Sequence, residues 1–422
     1  MEIKRIAQSN ISLTEGEITQ ALKESLKDKN LKKVLLIPPD ITRFHSNAGF
    51  ITNTYYHLLK ASCKVDILPA LGTHKAMTSD EMTEMYGDIP QENFIVHQWR
   101  EDIVNIGEVP ASFISEITDG LWNEKVIIEI NKLILDKSYD LILSIGQVVP
   151  HEVIGMANHS KNLFVGCGGQ STINPSHMIG AVYGMERMMG QDHSPVRKLL
   201  DYALTHFTQD LPLCFVLTVT TALNNKINTH GLFIGDTRKS LEDAIKLSQE
   251  KNINFVQTGL KKVIVYLDPK EFKSTWLGNK AIYRTRMAIA DGGELIILAP
   301  GITQFGEDRK IDSLIRKYGY IGRLKVLEAF HKNIDLQENM SAAAHLIHGS
   351  SDDRFKIIYA VKKITKDEIE SVNFNALDYD EVIIKYPLDQ LKEGFNLINN
   401  EEVYFISNPA LGLWINKEKF KP

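Results

Sequence analysis

The chain has 422 residues, 48 Lys plus Arg against 53 Asp plus Glu, and a formal net charge of -5. Its length exceeds what one hydrophobic core usually fills, so two domains are expected, and the absence of a basic excess argues against a nucleic-acid partner. Three scattered cysteines, Cys63, Cys167 and Cys214, exclude a disulfide framework and a C-x-x-C zinc site. MEIKRIAQSN lacks an apolar h-region and no apolar run reaches 18 residues, so the expectation is a cytoplasmic chain with no membrane partner.

In chain order, short β-branched runs alternate with segments of helical period. VLLIPPD (34–40) precedes NTYYHLLKAS, KVDILPALG (64–72) precedes SDEMTEMYG, and LILSIGQVV (141–149) precedes a glycine-rich stretch. That rhythm predicts an α/β fold with mostly parallel, buried strands. Asp40 and Arg43, then His74, then His151 each follow one of these runs. In open α/β sheets the ligand crevice lies outside the carboxyl ends of the strands, so three such ends suggest one shared site.

A second block begins near residue 261. KKVIVYLDP (261–269), ELIILAPG (294–301), RFKIIYAV (354–361), EVIIKYP (381–387) and VYFISNP (403–409) read as strands, and GNKAIYRTRMAIAD as a helix. The expected division is an N-terminal cofactor-binding and catalytic domain over 1–248, a connector over 249–272 and a C-terminal α/β domain over 273–422, with the site in the cleft between domains.

Each candidate residue admits two readings. In DITR, Arg43 suits a carboxylate or phosphate and Asp40 a ribose or substrate hydroxyl; equally, Asp40 suits a helix cap and Arg43 a surface pair. His74, at a strand exit, suits a general base or simple solvation. Gly166, Gly168 and Gly169 suit an anion-binding turn or a plain turn between strands, and no G-K-[ST] follows them. His151, His159 and His177, spaced by 8 and 18, match neither H-E-x-x-H nor a zinc finger. Lys280, near the start of a predicted helix, opposes the helix dipole, which an anionic substrate would explain.

Taken together, these segments resemble the nickel-pincer lactate racemase family over nearly the whole chain. The family's D-x-T-R appears as Asp40, Ile41, Thr42 and Arg43, and its G-T-H as Gly72, Thr73 and His74. Its histidine ten residues before a cofactor-bearing lysine matches His151 before Lys161. The nickel-ligand histidine sixteen residues after that lysine matches His177. Its second-domain lysine, twelve residues before a Gly-Gly, matches Lys280 before Gly292.

The resemblance implies a 2-hydroxy acid racemase or epimerase using a nickel-pincer nucleotide, the nickel pyridinium-3,5-bisthiocarboxylic acid mononucleotide, attached at Lys161 and completed by His177. Sulfur donors and one imidazole suit square-planar nickel without protein thiolates. It further implies hydride removal from C2 and return to the other face, with His74 and His151 as alternating bases. Arg43 and Lys280 would hold the carboxylate, and Asp40, Thr42, Arg43, Gly166 and Gly168 the nucleotide. Its partners would be a small 2-hydroxy acid and the proteins that make the cofactor.

Three features depart from the family pattern. Asn158, His159 and Ser160 replace glycines before Lys161, Leu277 replaces a substrate-side glutamine, and FHSNAGF after Arg43 lacks an early proline. Asn158, His159, His45, Ser46 and Asn47 are read as partners for extra substrate hydroxyls, which favours an aldonic acid such as gluconate or mannonate. The chain looks similar to the mannonate epimerase branch of the family, with lactate or malate as alternatives. A nucleotide- or metal-binding protein without turnover is the reading from another class, and a zinc hydrolase using His151, His159 and His177 a third.

Overall fold

The computed structural model describes residues 2–8, 11–223 and 226–420. The chain forms two compact units, Met1–Ile179 with Met188–Asn252, and Gly180–Arg187 with Ile253–Pro422.

In the first unit, a six-stranded sheet runs in the spatial order Ile3–Ile6, Lys226–Gly235, Leu213–Leu223, Leu141–Gln147, Lys33–Ile37, Lys64–Ile67. The last four strands are parallel and the first two antiparallel. Val34, Leu35, Leu36 and Ile37 are all fully buried, as expected of a parallel strand covered on both faces. The helices that cover it start where their sequences say. Thr14 with Glu17, and Thr78 with Glu81, close capping boxes on Glu15–Ser25 and Ser79–Tyr86, while Ser194 caps Pro195–Phe207 with proline in the first turn. One core cluster joins Leu22, Tyr55 and Ile51 from helices to Leu36, Ile67 and Ile145 from strands.

In the second unit, another six-stranded sheet has the order Asn375–Asp378, Lys356–Val361, Ile289–Ala299, Leu260–Tyr266, Glu401–Ile406, Gly394–Ile398, parallel except at the last pair. Ile253–Val256 pairs in parallel with Leu413–Asn416 beside it. Mixed α/β layering with mostly parallel sheets therefore holds in both units. Among the described residues no helix is long and apolar enough to cross a membrane.

Three local expectations fail. EVIIKYP is a helix, Tyr379–Lys385, because Asp378 caps it and Val382 and Tyr379 bury only one face. The helix starting at Lys280 ends at Thr285, and Ile289 already begins a strand whose β-branched run outcompetes helix continuation. Residues 249–272 form no separate connector: they complete the helix Arg238–Asn252 and then supply two strands, Ile253–Val256 and Leu260–Tyr266. Gly180–Arg187 joins the second unit because Glu186 accepts hydrogen bonds from Arg286 Nε and Arg354 Nη2, both at 3.0 Å.

The loop before Lys161 depends on a buried arginine. Arg197, 1% exposed, donates from Nη2 to the carbonyls of Met156 (2.7 Å) and Asn158 (3.1 Å) and from Nη1 to Ser160 Oγ (2.8 Å). Ser160 Oγ in turn donates to Asp201 at 2.6 Å. Arg197→Met would take a donor from two buried carbonyls, leaving Asn158 O only the Lys161 N–H at 3.3 Å, and lose the charge that Asp201 faces, so it is expected to lower stability by about 3 kcal/mol or more. Denaturant unfolding with an unchanged slope checks this; a loss below about 1 kcal/mol would contradict it.

Candidate active site

The parallel strands Lys64–Ile67, Lys33–Ile37 and Leu141–Gln147 are neighbours, so their carboxyl ends lie along one sheet edge. Beyond the central end, Pro38 and Pro39 stay extended, with Ala70 N–H donating to Pro38 O at 2.8 Å, and Asp40 caps the 3₁₀ turn Ile41–Ser46. His74 sits in a turn closed by its own N–H on Leu71 O (2.9 Å), next to Gly72, whose φ of 56° requires glycine and whose N–H donates to Gly166 O (2.8 Å). Asn162 Nδ2 donates to Ile37 O and to Ser144 Oγ, both at 3.0 Å, tying the helix Ser160–Phe164 to two strands.

Asp40 and His74 form a pair, with His74 Nδ1 2.6 Å from Asp40 Oδ2. Thr42 donates its N–H and its hydroxyl to Asp40 Oδ1. Burial raises the Asp40 carboxyl, but the bond and charge of His74 and the two Thr42 donors outweigh it and hold the group below the usual carboxylate range. Asp40 is thus ionised and only 4% exposed, whereas the His74 side chain is 57% exposed. Spacing offered no sign of this: residues 40 and 74 meet only because adjacent strands bring their ends together.

Lys161 is partly exposed along its stem while its amine is enclosed. Burial first, then the Arg43 charge, push that amine down to about 8, opposed by Glu152 and Asp40. His177, on the helix Gln170–Tyr183, has Nδ1 2.8 Å from the carbonyl of Ile173. A carbonyl only accepts, so Nδ1 carries the proton and Nε2 the lone pair. Burial lowers the ring's affinity for a proton, as does the Lys161 charge, against the Ile173 bond and Glu152. Asp40, Arg43, Glu152, Lys161 and His177 therefore share one electrostatic neighbourhood. Glu152 was missed in the sequence reading; its place beside His151 was the available signal.

His151 is 7% exposed at a short hairpin, Pro150–His151 with Gly155–Met156. Lys280 lies in the second unit, first in the helix Lys280–Thr285, with its ammonium 5.9 Å from the centre of the Phe272 ring.

Other expected site residues are engaged in the fold. A Cβ on Gly168 would fall 1.8 Å from Phe164 O, and one on Gly166 2.4 Å from Asn162 O. Gly166 N–H is bonded to Lys161 O (3.0 Å) and Gly168 O accepts from His97 (3.1 Å), so the glycine run packs closely, backbone on backbone. His159 stacks on Phe215 at 3.9 Å, 2% exposed, with neither ring nitrogen hydrogen-bonded. Burial and the charges of Arg197 and Arg238 hold it well below the usual histidine range, as a neutral ring. Asn158 Oδ1 accepts from His159 N–H at 2.6 Å. Both residues have positive φ, 69° and 59°, so they build with side chains the turn that glycines build elsewhere. Ser46 Oγ accepts from Ala48 N–H and Asn47 Nδ2 donates to Thr229 Oγ1, which leaves exposed His45 as the one side chain of that expected group facing solvent.

Residues 7–189 match the lactate racemase N-terminal domain family. The structure of a lactate racemase apoprotein from Thermoanaerobacterium thermosaccharolyticum is similar at a TM-score of 0.70, with 18% identity over 96% of this chain and 93% of that one. The chain has the lactate racemase fold. A protein of known structure from Thermotoga maritima is similar at a TM-score of 0.83, with 24% identity over 97% of this chain and 100% of that one. No curated protein matches. The matched segment holds Asp40, Arg43, His74, His151, Lys161 and His177 and includes Gly180–Arg187 of the second unit, whose remainder, Ile253–Pro422, lies outside it.

The lysine gives a pH test. An unfolded lysine holds its proton to about 10.4, whereas Lys161 loses it near 8, so between these values the unfolded chain binds more protons and stability rises with pH. Below about 8 the burial penalty is fully present. Wild-type protein is expected to gain about 2 kcal/mol from pH 8 to 10 relative to Lys161→Met, read from denaturant midpoints. Equal pH slopes in the two proteins would refute it.

Proposed function

We propose that the protein is a 2-hydroxy acid racemase or epimerase that uses a nickel-pincer nucleotide. The observation that carries this reading is the shared neighbourhood of Asp40, Arg43, Lys161 and His177 at the strand ends, in the fold of a lactate racemase. The residues present fit the cofactor. The Lys161 amine, kept partly neutral by burial, suits covalent attachment, and His177 offers an Nε2 lone pair oriented by Ile173. Among the described residues no three His, Cys, Asp or Glu side chains converge on a metal position, so a metal beside His177 takes its other donors from the cofactor. When bound, that cofactor supplies hydride acceptance and return at C2, where the C–H is too weak an acid for simple proton abstraction.

The chain's own groups supply the rest. Arg43 pairs with the carboxylate through a guanidinium fork. His74, with Nδ1–H held by Asp40, takes the hydroxyl proton at Nε2, and His151 serves the substrate from the neighbouring strand end. For the substrate class, an aldonic acid retains His45 as a hydroxyl partner. A short acid such as lactate or malate is the second reading, favoured because Asn158, His159, Ser46 and Asn47 are engaged within the protein.

Cofactor-loaded protein incubated in deuterated water with gluconate, mannonate, lactate and malate is expected to invert C2 of one of them with little deuterium entering C2. Rapid deuterium incorporation would replace hydride transfer by enolisation. His74→Ala and His151→Ala are each expected to cut turnover at least about a hundredfold while cofactor stays bound, measured as retained nickel. In a binding protein without turnover, neither change has a catalytic consequence. His177→Ala is expected to lose nickel while the peptide holding Lys161 keeps its added mass.

A further inference from the structure

We propose that the two site histidines rest in opposite tautomers, His74 as a proton acceptor at Nε2 and His151 as a hydrogen-bond donor at Nε2, with the main-chain N–H of Val153 as the group that sets His151. The chemical meaning rests on the epimerase reading above; the tautomers themselves do not.

Each histidine has a partner whose role is not reversible. Val153 N–H lies 3.1 Å from His151 Nδ1 and can only donate, so Nδ1 must keep its lone pair and the proton of the neutral ring goes to Nε2. Asp40 Oδ2 lies 2.6 Å from His74 Nδ1 and, ionised, can only accept, so there Nδ1 carries the proton and Nε2 the lone pair. Protonating His151 at Nδ1 would set two N–H groups against each other at that distance.

The Val153 contact is built into the fold. His151 pairs with Gly155 in the hairpin, which fixes the tip between them. Gly155 has φ 87°, and a Cβ there would fall 2.4 Å from Gln191 O and 2.7 Å from Met188 O, so the tip is pressed against backbone. Ser194 Oγ donates to Ile154 O at 2.7 Å, and Val153 and Ile154 are 5% and 1% exposed. A buried tip held from three sides keeps its amide on the ring.

A 2-hydroxy acid in this site therefore meets one acceptor and one donor. The epimer whose hydroxyl faces His74 finds a base ready. The epimer whose hydroxyl proton must leave towards His151 requires that ring to move its proton to Nδ1 first, against Val153. Val153 is on this account a positioning residue, acting through its backbone.

The test is nitrogen NMR on cofactor-free protein with ¹⁵N-labelled histidine, at about pH 8.5, some two units above the ordinary histidine value. Assignments come from His74→Gln and His151→Gln. The expected result is the Nε2–H pattern for His151 and the Nδ1–H pattern for His74. The same tautomer on both rings, or Nδ1–H on His151, would overturn the proposal. Val153→Pro removes the donor and is expected to abolish the Nε2–H preference of His151 while His74 is unchanged; an unaltered His151 pattern would also overturn it. Because no readout requires turnover, a protein inactive on every acid would count against the epimerase reading and leave the tautomers standing.

Discussion

A guanidinium buried to 1% exposure would ordinarily be a liability, since removing a charge from water costs several kcal/mol unless its donors are matched. Arg197 is matched at every turn, by two carbonyls, a hydroxyl and the Asp201 carboxylate. What those bonds hold is the reversal from Met156 to Ser160, in which two successive non-glycine residues have positive φ. Strain of that kind costs of order 1–3 kcal/mol per residue and persists only where the surroundings over-determine it. The reversal aims the five-residue helix that presents Lys161, so the position of the candidate tether follows from a charge lying behind it.

The same economy appears at each strand end. Asp40 serves as helix cap, acceptor for Thr42 and anchor for His74, and it stays ionised although burial opposes that. His177 gives its Nδ1 proton to its own helix, four residues back. The amide of Val153 does the corresponding service for His151. In all three cases a group with a single hydrogen-bonding sense faces Nδ1, so the state of the other ring nitrogen is set by a partner on the opposite side of the ring.

The alternation of buried runs and helical segments made the α/β layering legible, because parallel strands covered on both faces must be continuously apolar and their helices must carry caps. The places of Asp40 and His74 just past their strands were legible for the same reason, whereas Lys161 and His177, which lie on helices, were picked out only by the resemblance. Other features were not legible in the sequence. Gly166 and Gly168 looked like a ligand cradle, but a glycine required for backbone packing and one required for an anion are the same letter in sequence. Asn158 and His159 looked like substrate contacts because they are polar; only packing shows that His159 stacks on Phe215 and that the Asn158 carbonyl accepts from Arg197. EVIIKYP was apolar enough for a strand, and only the Asp378 cap and its one-sided burial made it a helix.

By itself the sequence determined the layering, the helix starts capped by Thr14, Thr78 and Ser194 and which residues lie beyond which strand, since these depend on local periodicity and capping within a few residues. Tertiary structure alone decided that Asp40 reaches His74 across 34 positions, that Arg197 reaches back 37 positions to Ser160, and that Glu152 joins Lys161 and His177. Hydrogen-bond direction and burial depend on which atoms approach within about 3 Å, and that is a property of the register and packing of whole strands and helices.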